Sequence, residues 1–267
     1  MSSERLQNQL NQDKELFIPF ITAGDPTSEV TIDLALALQE AGASILELGI
    51  PYSDPLADGP TIQAASKRAL SNGMSLTDAL QLVPKMRDRG LTIPVIIFTY
   101  VNPLLQYGMK RFTEEAAAFG VDGILVPDLP YEESDQLSQY CENENLSLIS
   151  LVAPTSKERI KKIASRAQGF LYCVSSLGVT GARTDLDPRI ETFLQTVREA
   201  SRVPIAVGFG ISTREQVQTI QGLADGVVVG SALVEQIEKQ GESLKNPAEK
   251  ELALQRIKSF VKALISE

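Results

Sequence analysis

Short apolar runs rich in β-branched residues alternate along this chain with longer stretches whose apolar positions recur every three to four residues. The short runs are Leu16–Ile21, Ile45–Leu48, Val95–Thr99, Gly123–Val126, Leu148–Val152, Phe170–Val174, Ile205–Val207 and Gly226–Val229. They are apolar on both faces, as strands of a parallel sheet covered by helices must be. Helical spacing marks Ser28–Ala41, Thr61–Asn72, Leu76–Arg89, Lys110–Phe119, Glu132–Asn143, Lys157–Arg166, Pro188–Ala200, Thr213–Gln221 and Pro247–Ile265. Pro188 suits a first helical turn, where a missing N–H costs nothing. Eight such units predict a closed (β/α)8 TIM barrel, an α/β fold, with extra helices at the N-terminus and after strand eight. A doubly wound open sheet is the competing architecture, but it would use fewer strands in two lobes. No linker or low-complexity stretch divides the chain, so residues 1–267 read as one domain. Gln240–Glu249, the most polar stretch, reads as a connection into the last helix.

Glu47 interrupts this pattern. It lies inside Ser44-Ile45-Leu46-Glu47-Leu48-Gly49-Ile50, where burial of a carboxylate is costly unless something uses it. An ion pair or a strand end that reaches water would also explain it. In a barrel, Ile45 and Glu47 share one face of strand two and Leu46 and Leu48 the other. Glu47 can then point into the barrel mouth while the leucines meet the helices. Burial there should raise its pKa and suit it to proton transfer near neutrality. The loop that follows, Pro51-Tyr52-Ser53-Asp54-Pro55-Leu56-Ala57-Asp58-Gly59-Pro60, brings two more carboxylates to the same end.

Glycine loops follow three later strands. Val207-Gly208-Phe209-Gly210-Ile211-Ser212 follows strand seven, and Val229-Gly230-Ser231-Ala232 follows strand eight and opens a short helix. Glycines let backbone N–H groups approach an anion, and a helix N-terminus attracts one. Loops seven and eight are the usual phosphate site of such barrels. After strand six, Ser175-Ser176-Leu177-Gly178-Val179-Thr180-Gly181-Ala182-Arg183-Thr184 has the composition of a lid or of an ordinary flexible connection.

Composition narrows the chemistry. Twenty-five Lys and Arg against 34 Asp and Glu leave a net charge of -9, which disfavours nucleic acid and anionic membranes as partners. The polar N-terminus and the lack of an 18-residue apolar run predict neither a signal peptide nor a membrane span, hence a cytoplasmic protein. Cys141 and Cys173 have no metal or disulfide spacing and read as packing residues. The absence of histidine removes Ser-His-Asp catalysis and His-ligated zinc, and no metal site is expected. No lysine falls at a strand end, which disfavours a Schiff-base aldolase. The phosphate loops together with the carboxylates point to a phosphorylated polyol or sugar-like substrate. Carbon–carbon cleavage would need that substrate to hold the electrons itself, as an aromatic heterocycle protonated at carbon can.

Four segments together resemble the tryptophan synthase alpha-subunit family. They are Phe17-Ile18-Pro19-Phe20-Ile21-Thr22-Ala23-Gly24-Asp25-Pro26, Glu47-Leu48-Gly49-Ile50 through Gly59-Pro60-Thr61-Ile62-Gln63, Leu177-Gly178-Val179-Thr180-Gly181, and Val207-Gly208-Phe209-Gly210-Ile211-Ser212. The resemblance runs from about Leu16 to the end. It implies retro-aldol cleavage of indole-3-glycerol phosphate to indole and glyceraldehyde 3-phosphate in tryptophan biosynthesis. It further implies an α2β2 complex with a beta subunit, which holds pyridoxal phosphate, and no cofactor in this chain. Glu47 matches the family's proton-transferring glutamate and Asp58 its indole N–H ligand. Tyr172 matches a tyrosine near the glycerol, and Thr180 the lid threonine that closes onto Asp58. Gly181, Gly210, Gly230 and Ser231 match phosphate contacts, with Phe209 and Ser212 beside them. Phe20, Phe98, Leu125 and Pro127 fall at the indole pocket. Pro51 and Asp54 fall where the loop faces the partner, although both also serve as turn formers. Alternatives are a non-catalytic allosteric partner of a beta subunit and another phosphate-binding barrel of the tryptophan pathway.

Overall fold

The computed structural model describes residues 3–13, 15–174, 190–208 and 210–265. Eight parallel strands follow one another around a closed barrel: β1 (Leu16–Thr22), β2 (Leu46–Gly49), β3 (Val95–Phe98), β4 (Gly123–Leu125), β5 (Ser147–Val152), β6 (Leu171–Val174), β7 (Ile205–Gly208) and β8 (Gly226–Val229). Pairing of Leu16 with Gly226 through Pro19 with Val229 closes the ring. Each strand lies within one residue of its predicted bounds.

The helices are α1 (Glu4–Gln12), α2 (Ser28–Ala41), α3 (Pro60–Ser71), α4 (Leu76–Asp88), α5 (Val101–Tyr107), α6 (Met109–Ala118), α7 (Asp135–Asn143), α8 (Lys157–Ala164), α9 (Ile190–Ala200), α10 (Arg214–Gln221), α11 (Ser231–Lys239), α12 (Gly241–Lys245) and α13 (Lys250–Ile265). Three details differ from the sequence expectation. α5 was not anticipated, because its Asn102-Pro103 reads locally as a turn. The stretch from Glu132 divides into a 3₁₀ turn (Tyr131–Glu133) and α7, and the polar connection at 240–249 contains α12. Pro188 lies outside the described residues.

Strand alternation sorts the core into two clusters. Ile18, Phe20, Ile45, Ile96, Phe98, Leu125, Ile149, Tyr172, Ala206 and Val228 fill the barrel interior. Phe17, Ile21, Leu46, Leu48, Ile97, Ile124, Cys173, Val207 and Val227 pack against the helices. The interior cluster therefore contains Ile45 while Leu46 and Leu48 face outward, as the period of two requires.

The opposite mouth is stoppered by α1, whose Leu6 is fully buried in the interior cluster. Asp122, just ahead of β4 and fully buried, anchors that stopper. It accepts hydrogen bonds from Ser3 Oγ at 2.6 Å, Arg5 Nη1 at 2.9 Å, Arg87 Nη2 at 2.9 Å and the Val95 N–H at 2.8 Å. A buried carboxylate with two guanidiniums and a backbone donor is a satisfied structural charge. The catalytic end of the barrel is thus the other one.

Candidate active site

Glu47 sits on β2 in register with Phe20 of β1 and Ile96 of β3 and is 2% exposed. Among the described residues its Oε1 has no hydrogen-bond partner and no Lys or Arg forms an ion pair with it. Burial, with a smaller contribution from the Asp58 charge, pushes its carboxyl up to about 8. At neutral pH this group holds a proton to donate.

Asp58 precedes α3 by two positions and is 5% exposed. The loop bearing it is held at several points. Its N–H bonds to the Pro55 carbonyl at 3.1 Å, its carbonyl accepts from Gln63 Nε2 at 2.7 Å, and the Ala57 N–H donates to the Tyr100 hydroxyl at 3.2 Å. Burial raises the Asp58 carboxyl to about 6, opposed by a hydrogen bond from Tyr100. Two neighbouring carboxyls thus titrate in different ranges, one protonated and one ionised at neutrality, which is how acid and anion roles are divided.

Both carboxylates line a cavity of about 40 Å³ at the C-terminal mouth, together with Phe20, Ile62, Phe98, Tyr172, Gly210, Ile211, Ser212, Val228, Gly230, Ser231 and Ala232. That volume is far below the roughly 300 Å³ of an ordinary ligand pocket. The aromatic side is built by packing. Phe20 and Phe98 meet edge to face with centroids 5.5 Å apart, and a Cβ at Gly49 would lie 2.4 Å from the Phe20 ring. Tyr172 reaches the cavity because Gly208 has no side chain. Burial raises the Tyr172 phenol well above its usual range, so it remains a neutral hydroxyl.

The opposite side of the cavity is polar backbone. α11 starts at Ser231 behind Gly230 with no side-chain cap, leaving its first N–H groups for an anion. Loop seven differs from expectation. The N–H groups of Ser212 and Thr213 donate to Gln216 Oε1 at 2.8 and 3.2 Å, in a capping box that occupies the start of α10. Ser212 still lines the cavity, but its N–H is committed to the cap.

The structure thus brings together Glu47, Asp58, Phe20, Phe98, Tyr172, Gly210, Ser212, Gly230 and Ser231. Thr180, Gly181 and Phe209 lie outside the described residues. Leu125 pairs with Phe98 and is buried in the interior cluster, yet is not part of the cavity wall. Pro127 instead lines a larger cavity of about 620 Å³ at the ends of β4 to β6, with Leu56, Leu129, Tyr131 and Leu151. Size does not locate the chemistry, since Glu47 lines the smaller one. Pro51 is buried, whereas Ser53, Asp54 and Leu56, the last 82% exposed, are the accessible residues of loop two ahead of α3. Sequence reading missed Ile62, Ile211, Val228, Ala232 and Tyr100. Tyr100 follows Phe98 at strand spacing, a signal that was there to be used. No metal-binding cluster occurs among the described residues, and no helix among them is long and apolar enough to cross a membrane.

The family model described as tryptophan synthase alpha chain matches residues 6–263. The tryptophan synthase alpha chain of Halalkalibacterium halodurans is 65% identical over 262 residues, covering 98% of this chain and 99% of that one. That of Geobacillus stearothermophilus is 58% identical over 255 residues, covering 96% and 95%. Among solved structures, tryptophan synthase subunit alpha from Legionella pneumophila superposes with a TM-score of 0.87 at 37% identity, covering 99% of this chain and 97% of that one. A chain from the tryptophan synthase α2β2 complex of Pyrococcus furiosus gives 0.85 at 40%, covering 96% and 99%. A barrel with a buried acid, an ionised neighbour and an open helix N-terminus, matched over residues 6–263, belongs to the tryptophan synthase alpha-chain family, the lyase subunit that cleaves indole-3-glycerol phosphate.

Proposed function

We propose that Glu47 and Asp58 carry this cleavage in the present chain. The protonated Glu47 carboxyl gives its proton to indole C3, and the resulting positive charge is delocalised onto the ring nitrogen. The Asp58 carboxylate accepts the ring N–H and stabilises that cation, a charge matched to the one that develops. Glu47, now ionised, takes the proton of the glycerol hydroxyl next to the ring. The carbon–carbon bond breaks, its electrons restore the aromatic ring, and indole and glyceraldehyde 3-phosphate leave. The observation that carries this reading is a buried carboxyl with an unpartnered oxygen, held protonated at neutrality in one cavity wall with an ionisable partner.

The ring lies between Phe20 and Phe98, with Leu125 behind, Tyr172 faces the glycerol, and the phosphate sits on Gly230 and Ser231 beside Gly210 and Ser212. Thr180, Gly181 and Phe209 complete this end as the family resemblance implies. The chain itself needs no cofactor or metal. Its partner is a beta subunit carrying pyridoxal phosphate, in an α2β2 assembly in the cytoplasm, met through Asp54 and the exposed Leu56. Family members from Pyrococcus furiosus form such a complex, which supports the assignment. Indole release from indole-3-glycerol phosphate, measured with and without a beta subunit, tests the whole reading. No indole in either condition would leave a non-catalytic binding role.

A further inference from the structure

Tyr100 lies two residues beyond β3, caps the start of α5 and is 1% exposed. Its ring is held between Phe98, 6.0 Å away at 83°, and Tyr52, 5.3 Å away at 32°. Ring packing on both sides leaves the hydroxyl little freedom. The oxygen accepts the Ala57 N–H at 3.2 Å, and the hydroxyl lies within hydrogen-bonding reach of the Asp58 carboxylate. A phenol is both acceptor and donor, so one group can serve both neighbours at once. We propose that Tyr100 is the positioning residue of this site: its single hydroxyl fastens loop two at Ala57 and donates a hydrogen bond to Asp58, holding that carboxylate aimed at the ring nitrogen.

The chemistry favours this role over simple bracing. Burial, the Asp58 charge and, more weakly, Asp128 push the Tyr100 phenol above its usual range, so it donates at every working pH. A neutral donor stabilises a carboxylate more than a carboxylic acid and opposes the burial that would neutralise Asp58. Among the described residues, the other titratable groups that feel the Asp58 charge are Glu47 and Tyr172. One is protonated and the other a neutral phenol at pH 7, so neither supplies a compensating positive charge. Asp128, which faces Tyr100, has its Oδ1 engaged by the Val101 N–H at 2.9 Å.

This inference rests on Asp58 being the ligand of the indole nitrogen, and the test separates the two. Full-length wild type, Tyr100→Phe and Asp58→Asn are assayed for indole release from pH 5 to 9, with melting temperatures alongside. Tyr100→Phe keeps the ring packing and loses only the hydroxyl. It should move the acidic limb upward by roughly one pH unit, leaving the alkaline limb in place, and so lower kcat/KM by roughly 3-fold at pH 6.5 and roughly 10-fold near pH 5. An unmoved acidic limb, whether or not the melting temperature falls, overturns the inference and leaves Tyr100 a brace. If Asp58→Asn stays active, the assignment of Asp58 falls, and this inference with it. If Asp58→Asn is inactive and Tyr100→Phe behaves as wild type, only the inference falls.

Discussion

A Cβ atom at Gly208 would lie 2.1 Å from the Tyr172 hydroxyl oxygen. The two residues sit on neighbouring strands, β6 and β7, and the missing side chain of one is the space occupied by the other. Gly208→Ala should therefore displace Tyr172 from the cavity and lower indole release by roughly 10-fold or more, while Tyr172→Leu removes the atoms that collide. Combined, the two changes should cost less than the sum of each alone, because they share one space. Additive effects in a double-mutant cycle would refute the coupling.

Glu47→Gln should abolish proton transfer and leave the fold intact. Indole production should fall by roughly 10²–10⁴-fold, the usual worth of a positioned acid or base. A variant retaining more than a tenth of wild-type activity would remove Glu47 from its role.

The same substitution should stabilise the protein, and more so at high pH. The folded carboxyl titrates at about 8 against an ordinary 4.5, so between those values the unfolded chain releases a proton that the folded chain keeps. Stability then falls as pH rises through that window, by an amount on the order of a few kcal/mol for a fully buried group. Glu47→Gln lacks that penalty. Its melting temperature relative to wild type should rise from pH 5 to pH 8.5, and a pH-independent difference would contradict the burial energetics.

Activity should follow a bell. Asp58 must be ionised and Glu47 protonated, so kcat/KM should rise through about pH 6 and fall through about pH 8. Asp58→Asn should remove the acidic limb along with most of the activity. A profile that still climbs above pH 9 would mean that Glu47 does not start as the acid.

Ser231→Asp should separate stability from binding. At the first position of α11 a negative charge favours the helix, by about 0.3–1 kcal/mol. It also occupies the place of the phosphate, so KM for indole-3-glycerol phosphate should rise far more than kcat falls. An unchanged KM would put the phosphate elsewhere.

The barrel was legible from the chain alone, because each strand must be apolar on both faces to lie between an interior and a helix layer. Period-two alternation was enough to assign Ile45 to the interior and Leu46 and Leu48 to the helices, and thereby to aim Glu47. The carboxylates were legible for a related reason: a charge inside an apolar run has no local compensation, so it stands out whatever the fold. α5 was not legible, since Asn102-Pro103 has the local chemistry of a turn and seven residues are too few to show a helical period, although Pro103 falls in the first turn, where its missing N–H costs nothing.

What the sequence determined by itself was which residue types fall at the C-terminal strand ends: Glu47, the carboxylates of loop two, and the glycines after β7 and β8. Tertiary structure alone decided how they are used. It left Glu47 Oε1 without a partner, committed the Ser212 and Thr213 N–H groups to Gln216, and placed the Tyr172 hydroxyl in the space that Gly208 leaves open. Those outcomes depend on distances between residues far apart in the chain, and burial and hydrogen bonding act through distance, so no local pattern could contain them.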